Sequence, residues 1–217
     1  MTSLLRWLSR RMGIDAAHSA KADRHVGFEQ LARVEREGEA WHVVSRAGHS
    51  VIAVVAPHGG GIEPGTSELA RAIAGSDHAL YLFEGLKRFG NDRLHVKSTR
   101  FDEPRLAGIV NQVDTVIALH GERSRERIVY VGGLHEELRD RIGKRLRDGG
   151  FEIGKHAVLA GLEPSNVCNR GRCAHGVQLE ISEGLRRSMF ASLRRHGRKF
   201  PTAAFDRFAA AVRAGVG

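Results

Sequence analysis

Cysteine is scarce, with two among 217 residues. A disulfide-stapled secreted domain normally carries more, so Cys168 and Cys173 are expected as free thiols in a reducing compartment. They also lack the second Cys or His pair of a zinc finger. Long apolar runs are missing as well. None approaches the ~18 residues that cross a bilayer, and Arg6, Arg10 and Arg11 interrupt the N-terminus where a signal peptide would place its apolar stretch. Cytoplasmic synthesis without a signal peptide is therefore expected. No helix-turn-helix, zinc-finger or RNP signature is present, which weighs against a specific nucleic-acid partner. No internal repeat or linker divides the chain.

Positive charge is what the chain has in excess, a formal +9. Such a balance attracts polyanions, whether nucleic acid, membrane surface or an anionic polymer. Arginine-rich proteomes also yield basic proteins with no acidic partner. Hydrophobic residues make up 41%, and the length suits one domain with a sizeable core. Residues 1–27 are polar, basic and aperiodic and read as an extension. Leu4, Leu5, Trp7 and Leu8 against the arginines give the alternative of a basic amphipathic helix. Residues 28–217 make up the domain.

Apolar spacing predicts helices over Phe28–Gly38, over SELARAIAG with a Ser67 cap and a terminal Gly75, and from Pro104 through Val110. Two more follow at HEELRDRIGKRLRDGG, where Leu134, Leu138, Ile142 and Leu146 recur every four residues, and at TAAFDRFAAAVRAG. WHVVS, VIAVVAP, ALYLFEG, RLHVKST, DTVIALHG, RIVYVGG and GVQLEIS read as strands, several of them buried β-branched runs. The stretch from Pro57 to Gly61 reads as a loop. This alternation predicts a single α/β domain, a mostly parallel or mixed sheet flanked by helices.

In open α/β sheets, ligands bind beyond the carboxyl ends of the strands. His58 follows VIAVVAP, Arg100 follows RLHVKST, His120 ends DTVIALH and Glu180 lies late in GVQLEIS. Catalytic zinc commonly takes two histidines and a carboxylate and keeps one position for water. His58 and Glu63 share a glycine-rich turn that lets both reach one ion, and His120 would arrive from another strand. Bound water, its pKa lowered to about 7, then needs a proton acceptor such as Glu180. Each residue also has an ordinary alternative. The chain has 12 histidines, and those after strands are usually satisfied by hydrogen bonds. Glu63 before Pro64 suits a helix start. Glu180 alternates with Leu179 and Ile181, a pattern compatible with a solvent-facing side chain.

APHGGGIEPGTSELA, LYLFEGLK, NDRLHVKSTRFDEP, the ALHG around His120, VYVGGL, NVCNRG and GVQLEIS run in order between about Phe28 and Arg186. Together they resemble the poly-γ-glutamate hydrolase family, phage-borne zinc enzymes that degrade the capsule polymer poly-γ-glutamate. The resemblance implies a carboxypeptidase-like α/β fold, one zinc ion (Zn2+) held by His58, Glu63 and His120, and Glu180 as the catalytic carboxylate. Four residues separate the first two ligands, rather than the two of carboxypeptidases, a difference the glycine turn must absorb. The implied substrate is an anionic glutamate-containing polymer or peptide cleaved at γ-glutamyl amides. An acyl-glutamate or a peptidoglycan stem peptide is the alternative. Some relatives carry a phage replication label, which with the charge keeps a non-enzymatic nucleic-acid binder in play. A binding module that has lost activity is a further reading. Each polymer unit carries a free α-carboxylate, which suits arginine's planar fork. That makes Asn169, Arg170 and Arg100 the substrate-binding candidates. Both arginines have a plainer reading as surface charges, and Arg100 has one as a partner of Asp102 or Glu103. Release by lysis would suit a phage-derived enzyme.

Overall fold

The computed structural model describes residues 24–217; the readings made for residues 1–23 fall outside it. The strands are β1 (Trp41–Arg46), β2 (Ile52–Gly60), β3 (Ala79–Gly85), β4 (Thr115–Glu122), β5 (Ile128–Gly132), β6 (Glu152–Gly154) and β7 (Val177–Ser182). They form one sheet in the order β1-β3-β2-β4-β7-β5-β6. The centre, from β3 to β7, is parallel, and β1 and β5 join it antiparallel to β3 and β7. The helices are α1 (Phe28–Val34), α2 (Thr66–Ala74), α3 (Pro104–Val110), α4 (Glu136–Asp148), α5 (Glu183–Ser188) and α6 (Ala203–Val216). The result is a single α/β domain with a mixed sheet.

Successive side chains of a strand point to opposite faces, so a strand buried on both sides supplies two cores. Val54, Ala56, Ile117, Leu119, Leu179 and Ile181 face a layer built by Leu69 and Ile73 of α2, Ile142 of α4 and Phe208 of α6. Ala53, Val55, Val116, Tyr81 and Phe83 face a second cluster with Leu31, Leu94, Val96, Phe101 and Leu106. Burying one such leucine or isoleucine contributes roughly 1.5–3 kcal/mol.

Four local expectations are corrected. RLHVKST is not a strand: two 3-10 turns, Asn91–Leu94 and Ser98–Arg100, flank an irregular stretch. Its strand-like alternation arises because Leu94 and Val96 are fully buried on the second cluster. The loop expected at 57–61 is mostly strand, since β2 runs through His58 to Gly60 with a register shift between Ala56 and Gly59. Ser67 is not the cap of α2. Gly65, at φ 103, holds that position, and Ser67 Oγ accepts from Gly60 N–H at 3.0 Å, tying the glycine turn to the helix. Leu134 lies ahead of α4 and is partly exposed. The short β6 was not anticipated.

Both cysteines are free; Cys168 is buried, its thiol pushed up to about 12 by burial, and Cys173 is exposed. Two histidines outside the carboxyl edge of the sheet are expected to couple folding to pH. Burial, then the charge of Arg213, lowers the pKa of His78 below 6.5; burial, then His175 and Arg141, does the same for His135. A histidine depressed in the folded state contributes stability that is full above its unfolded pKa and lost as pH falls through the folded one. Between pH 7 and pH 5 the Tm of the wild type is therefore expected to fall more, or rise less, than that of His78→Asn, the difference isolating this histidine from the raised Glu180 carboxyl, which acts in the opposite sense; identical pH dependence in the two proteins refutes the coupling.

Candidate metal centre

His58 stands near the carboxyl end of β2 and His120 near that of β4, where its register partner on β7 is Glu180. Glu63 reaches the same place from the turn after β2. The turn is closed by Glu63 N–H donating to the His58 carbonyl at 2.8 Å and passes through Gly60 at φ 64, the left-handed region that favours glycine. Gly121 N–H then donates to Glu63 Oε2 at 2.8 Å. A Cβ at Gly121 would stand 2.9 Å from Glu63 Cβ and 2.7 Å from Arg186 Cζ, so only glycine admits the turn this close to β4. This is how the four-residue spacing is absorbed.

His58 Nδ1 lies 3.1 Å from His120 Nδ1 and 3.3 Å from Glu63 Oε1, and His120 Nδ1 lies 3.7 Å from Glu63 Oε2. One ligand atom from each residue falls within 4.8 Å of the others, a group that could hold a metal ion. The hydrogen bonds behind the rings favour that use. His58 Nε2 is 2.7 Å from the Val96 carbonyl, which only accepts, so a neutral ring keeps its proton there and turns the Nδ1 lone pair inward. Behind His120, Nε2 is 3.3 Å from Ser98 Oγ, an available acceptor. Two inward lone pairs beside a carboxylate call for a cation or a proton between them. Nitrogens 2.0–2.1 Å from a tetrahedral zinc stand about 3.3 Å apart, close to the separation found here. The donor set fits zinc.

Two carboxyls in this place are driven in opposite directions. Burial alone would raise Glu63, but where the inward nitrogens carry protons in place of a cation, the charge of His58 and hydrogen bonds from His120 and His58 outweigh it and hold it well below the usual carboxylate range. Burial, then the nearby charge of Glu63, pushes Glu180 well above that range. Glu180 is thus buried, not solvent-facing.

Asn169 is buried and fully used by backbone. Its Nδ2 donates to the carbonyls of Gly161 (2.8 Å) and Glu163 (2.9 Å), and its Oδ1 accepts from the N–H groups of Leu134 (3.3 Å) and Gly176 (3.2 Å). Arg170 is engaged in the same manner, donating to the carbonyls of Ser165 (2.8 Å), Phe101 (2.5 Å) and Ser98 (3.0 Å). It fastens the Ser98–Phe101 stretch rather than presenting a free fork. Arg100 is exposed, and among the described residues no hydrogen bond or ion pair engages its side chain, Asp102 and Glu103 included.

The surroundings add residues that sequence reasoning did not single out. His95 packs on His58 with ring centroids 3.9 Å apart, and its Nε2 is 3.8 Å from Glu63 Oε1. Arg186, buried, donates to the carbonyls of Ile181 (2.9 Å), Pro64 (2.7 Å) and Glu122 (2.8 Å), joining the glutamate turn to the ends of β4 and β7. His95 lay inside a segment that read as strand. Arg186 carried no mark distinguishing it among 34 lysines and arginines.

A family model described as poly-gamma-glutamate hydrolase matches residues 25–211. The chain belongs to the poly-gamma-glutamate hydrolase family, a family of enzymes. The structure of a bacteriophage poly-gamma-glutamate hydrolase superposes with a TM-score of 0.87 at 33% identity, covering 89% of this chain and 96% of that one. A zinc-free apo structure of YndL gives 0.82 at 34% identity, covering 88% and 96%. Among curated proteins of Bacillus subtilis (strain 168), the SPbeta prophage-derived UPF0714 protein YoqZ is 37% identical over 180 residues, 82% of this chain and 65% of YoqZ. The UPF0714 protein YndL is 38% identical over 171 residues, 77% of this chain and 67% of YndL. The chain thus spans about two thirds of the length of these family relatives. An N-formylglutamate amidohydrolase from Ralstonia eutropha JMP134 shares the fold, with a TM-score of 0.53 at 10% identity.

Proposed function

We propose that this protein hydrolyses γ-glutamyl amide bonds of poly-γ-glutamate, using one zinc ion held by His58, Glu63 and His120. The observation that carries the reading is the convergence of two imidazole nitrogens and a carboxylate beside a second, buried carboxylate, in a chain of this family. Zinc, when bound, supplies a water acidified to a pKa of about 7 and a Lewis acid for the scissile carbonyl. The side chains do the rest. The Val96 carbonyl keeps the His58 proton on Nε2, and the Gly121 N–H holds Glu63 Oε2 in place. Glu180, ionised beside a bound cation, takes the proton of the attacking water and passes it to the leaving amine.

Surface charge supports an anionic chain as the substrate. Arg123, Arg125 and Arg127, on the loop from β4 to β5, are exposed, and among the described residues no carboxylate pairs with them. With Arg100, between β3 and β4, they outnumber the loop's Glu122 and Glu126 and leave an excess of positive charge there. Raising the salt from 50 to 300 mM is therefore expected to lower kcat/KM on the polymer several-fold, mostly through KM. An unchanged kcat/KM over that range would count against polymer steering. A phage-type setting is part of the proposal and is supported by the prophage-derived relative; release on lysis would follow from that setting.

The deciding experiment strips the protein with a chelator, restores zinc, and offers poly-γ-glutamate, an acyl-glutamate and γ-glutamyl peptidoglycan fragments in parallel. Zinc-dependent shortening of the polymer is expected. Cleavage confined to either of the other two would move the substrate while keeping the chemistry; no cleavage of any would sink both.

A further inference from the structure

We infer that Gln178 is a positioning residue that sets the orientation of the Glu180 carboxylate. The inference rests on the reading of Glu180 as the proton-transfer group. Gln178 precedes Glu180 by two residues on β7, so both project from the same face, and its side chain is buried. Its register partners are Ala118 on β4 and Gly132 on β5. Both are small, which leaves room on the sheet for a long polar side chain.

The direction of every hydrogen bond in this group follows from one backbone donor. Cys168 N–H donates to Asn166 Oδ1 at 3.1 Å. A backbone N–H cannot act as an acceptor, so the oxygen of Asn166 must face it and Nδ2 must face away. Asn166 Nδ2 donates to Gln178 Oε1 at 2.9 Å. Gln178 Nε2 is thereby turned to the other side, where it donates to the Leu159 carbonyl at 3.1 Å and to Glu180 Oε1 at 2.9 Å. Turning either amide over would set N–H against N–H and oxygen against oxygen. The relay therefore has one satisfied arrangement, and it ends on a single carboxylate oxygen. Oε2 is left as the oxygen that can meet a proton.

The loop after β6 completes the device. Gly133 N–H donates to the Ala160 carbonyl at 2.8 Å. A Cβ at Gly132 would stand 2.2 Å from that same oxygen. The missing side chain is what lets the loop lie on the sheet and bring the Leu159 carbonyl to Gln178. Asn169 closes the loop from beyond through the Gly161 and Glu163 carbonyls. Its buried amide thus supports the site through Gln178.

The test pairs Gln178→Met, which keeps length and removes the donor, with Gln178→Glu, which keeps shape and sets an acceptor against Glu180. In the full-length zinc-loaded protein acting on poly-γ-glutamate, kcat is expected to fall about 10- to 100-fold, as for outer-shell partners of site residues, with KM and bound zinc within about twofold. In a Glu180→Gln background the same changes should cost nothing further, because the group they orient no longer accepts a proton. A purely structural residue would instead give additive losses. Additive losses, kcat within twofold of wild type in both variants, or failure of both variants to fold overturns the inference. Should Glu180→Gln itself keep full activity, the parent reading fails too. If that variant is inactive while both Gln178 variants remain active, only this inference fails.

Discussion

Replacing Glu180 with glutamine is expected to lower kcat by about 10²–10⁴-fold, the span attributed to a positioned general acid–base group, and to leave the fold and bound zinc unchanged. The amide has the size of the carboxylate, and Gln178 Nε2–H can still donate to its oxygen, as it does to Glu180 Oε1 at 2.9 Å. Leu179 and Ile181, its neighbours along β7, lie in the helix-facing core and lose no contact. What disappears is a buried oxygen able to hold a proton between attack and departure of the amine. The rate should be followed by polymer shortening, with circular dichroism and elemental analysis on the same preparation. A kcat within tenfold of wild type, metal content being equal, would remove Glu180 from the chemistry.

A second large effect is expected at His120. His120→Ala should reduce tightly bound zinc from about one ion per chain to a small fraction of that, with activity falling in parallel, because a three-ligand site deprived of one nitrogen loses much of its affinity. The ring is buried and faces His58 Nδ1 at 3.1 Å, so truncation also leaves a void. His120→Asn fills most of that void and separates the two effects: its Tm should lie nearer wild type while its zinc stays low. Wild-type zinc in both variants would take His120 out of the ligand set.

The parallel centre of the sheet was legible because it is buried on both faces: VIAVVA and VIAL leave little besides a core strand as an interpretation. The cluster at its carboxyl edge followed from where those runs end: His58 and His120 come together there, and Glu180 is the register partner of His120 on β7. The segment holding His95 was not legible. A loop laid flat on a core buries alternate side chains as a strand does, and Leu94 and Val96 imitate the period of two. What separates the cases is the fate of the backbone carbonyls, which here go to His58 and Arg170 instead of a ladder. Nor could composition distinguish Arg170, whose three nitrogens each donate to a carbonyl, from Arg100, whose side chain has no partner among the described residues. Each follows a polar residue, Thr99 or Asn169, and only the path of the chain decides which is enclosed.

The carbonyl of Val96 takes part in two equilibria at once. By receiving the His58 proton it selects the tautomer competent to grip an ion, yet it belongs to a stretch with no regular pairing of its own. On the proposed zinc site, whatever holds that stretch in place raises the affinity of the histidine, and by reciprocity an occupied site stabilises the stretch. Proteolytic nicking between Leu86 and Arg105, followed while zinc is titrated in, would then trace a binding isotherm without any substrate present.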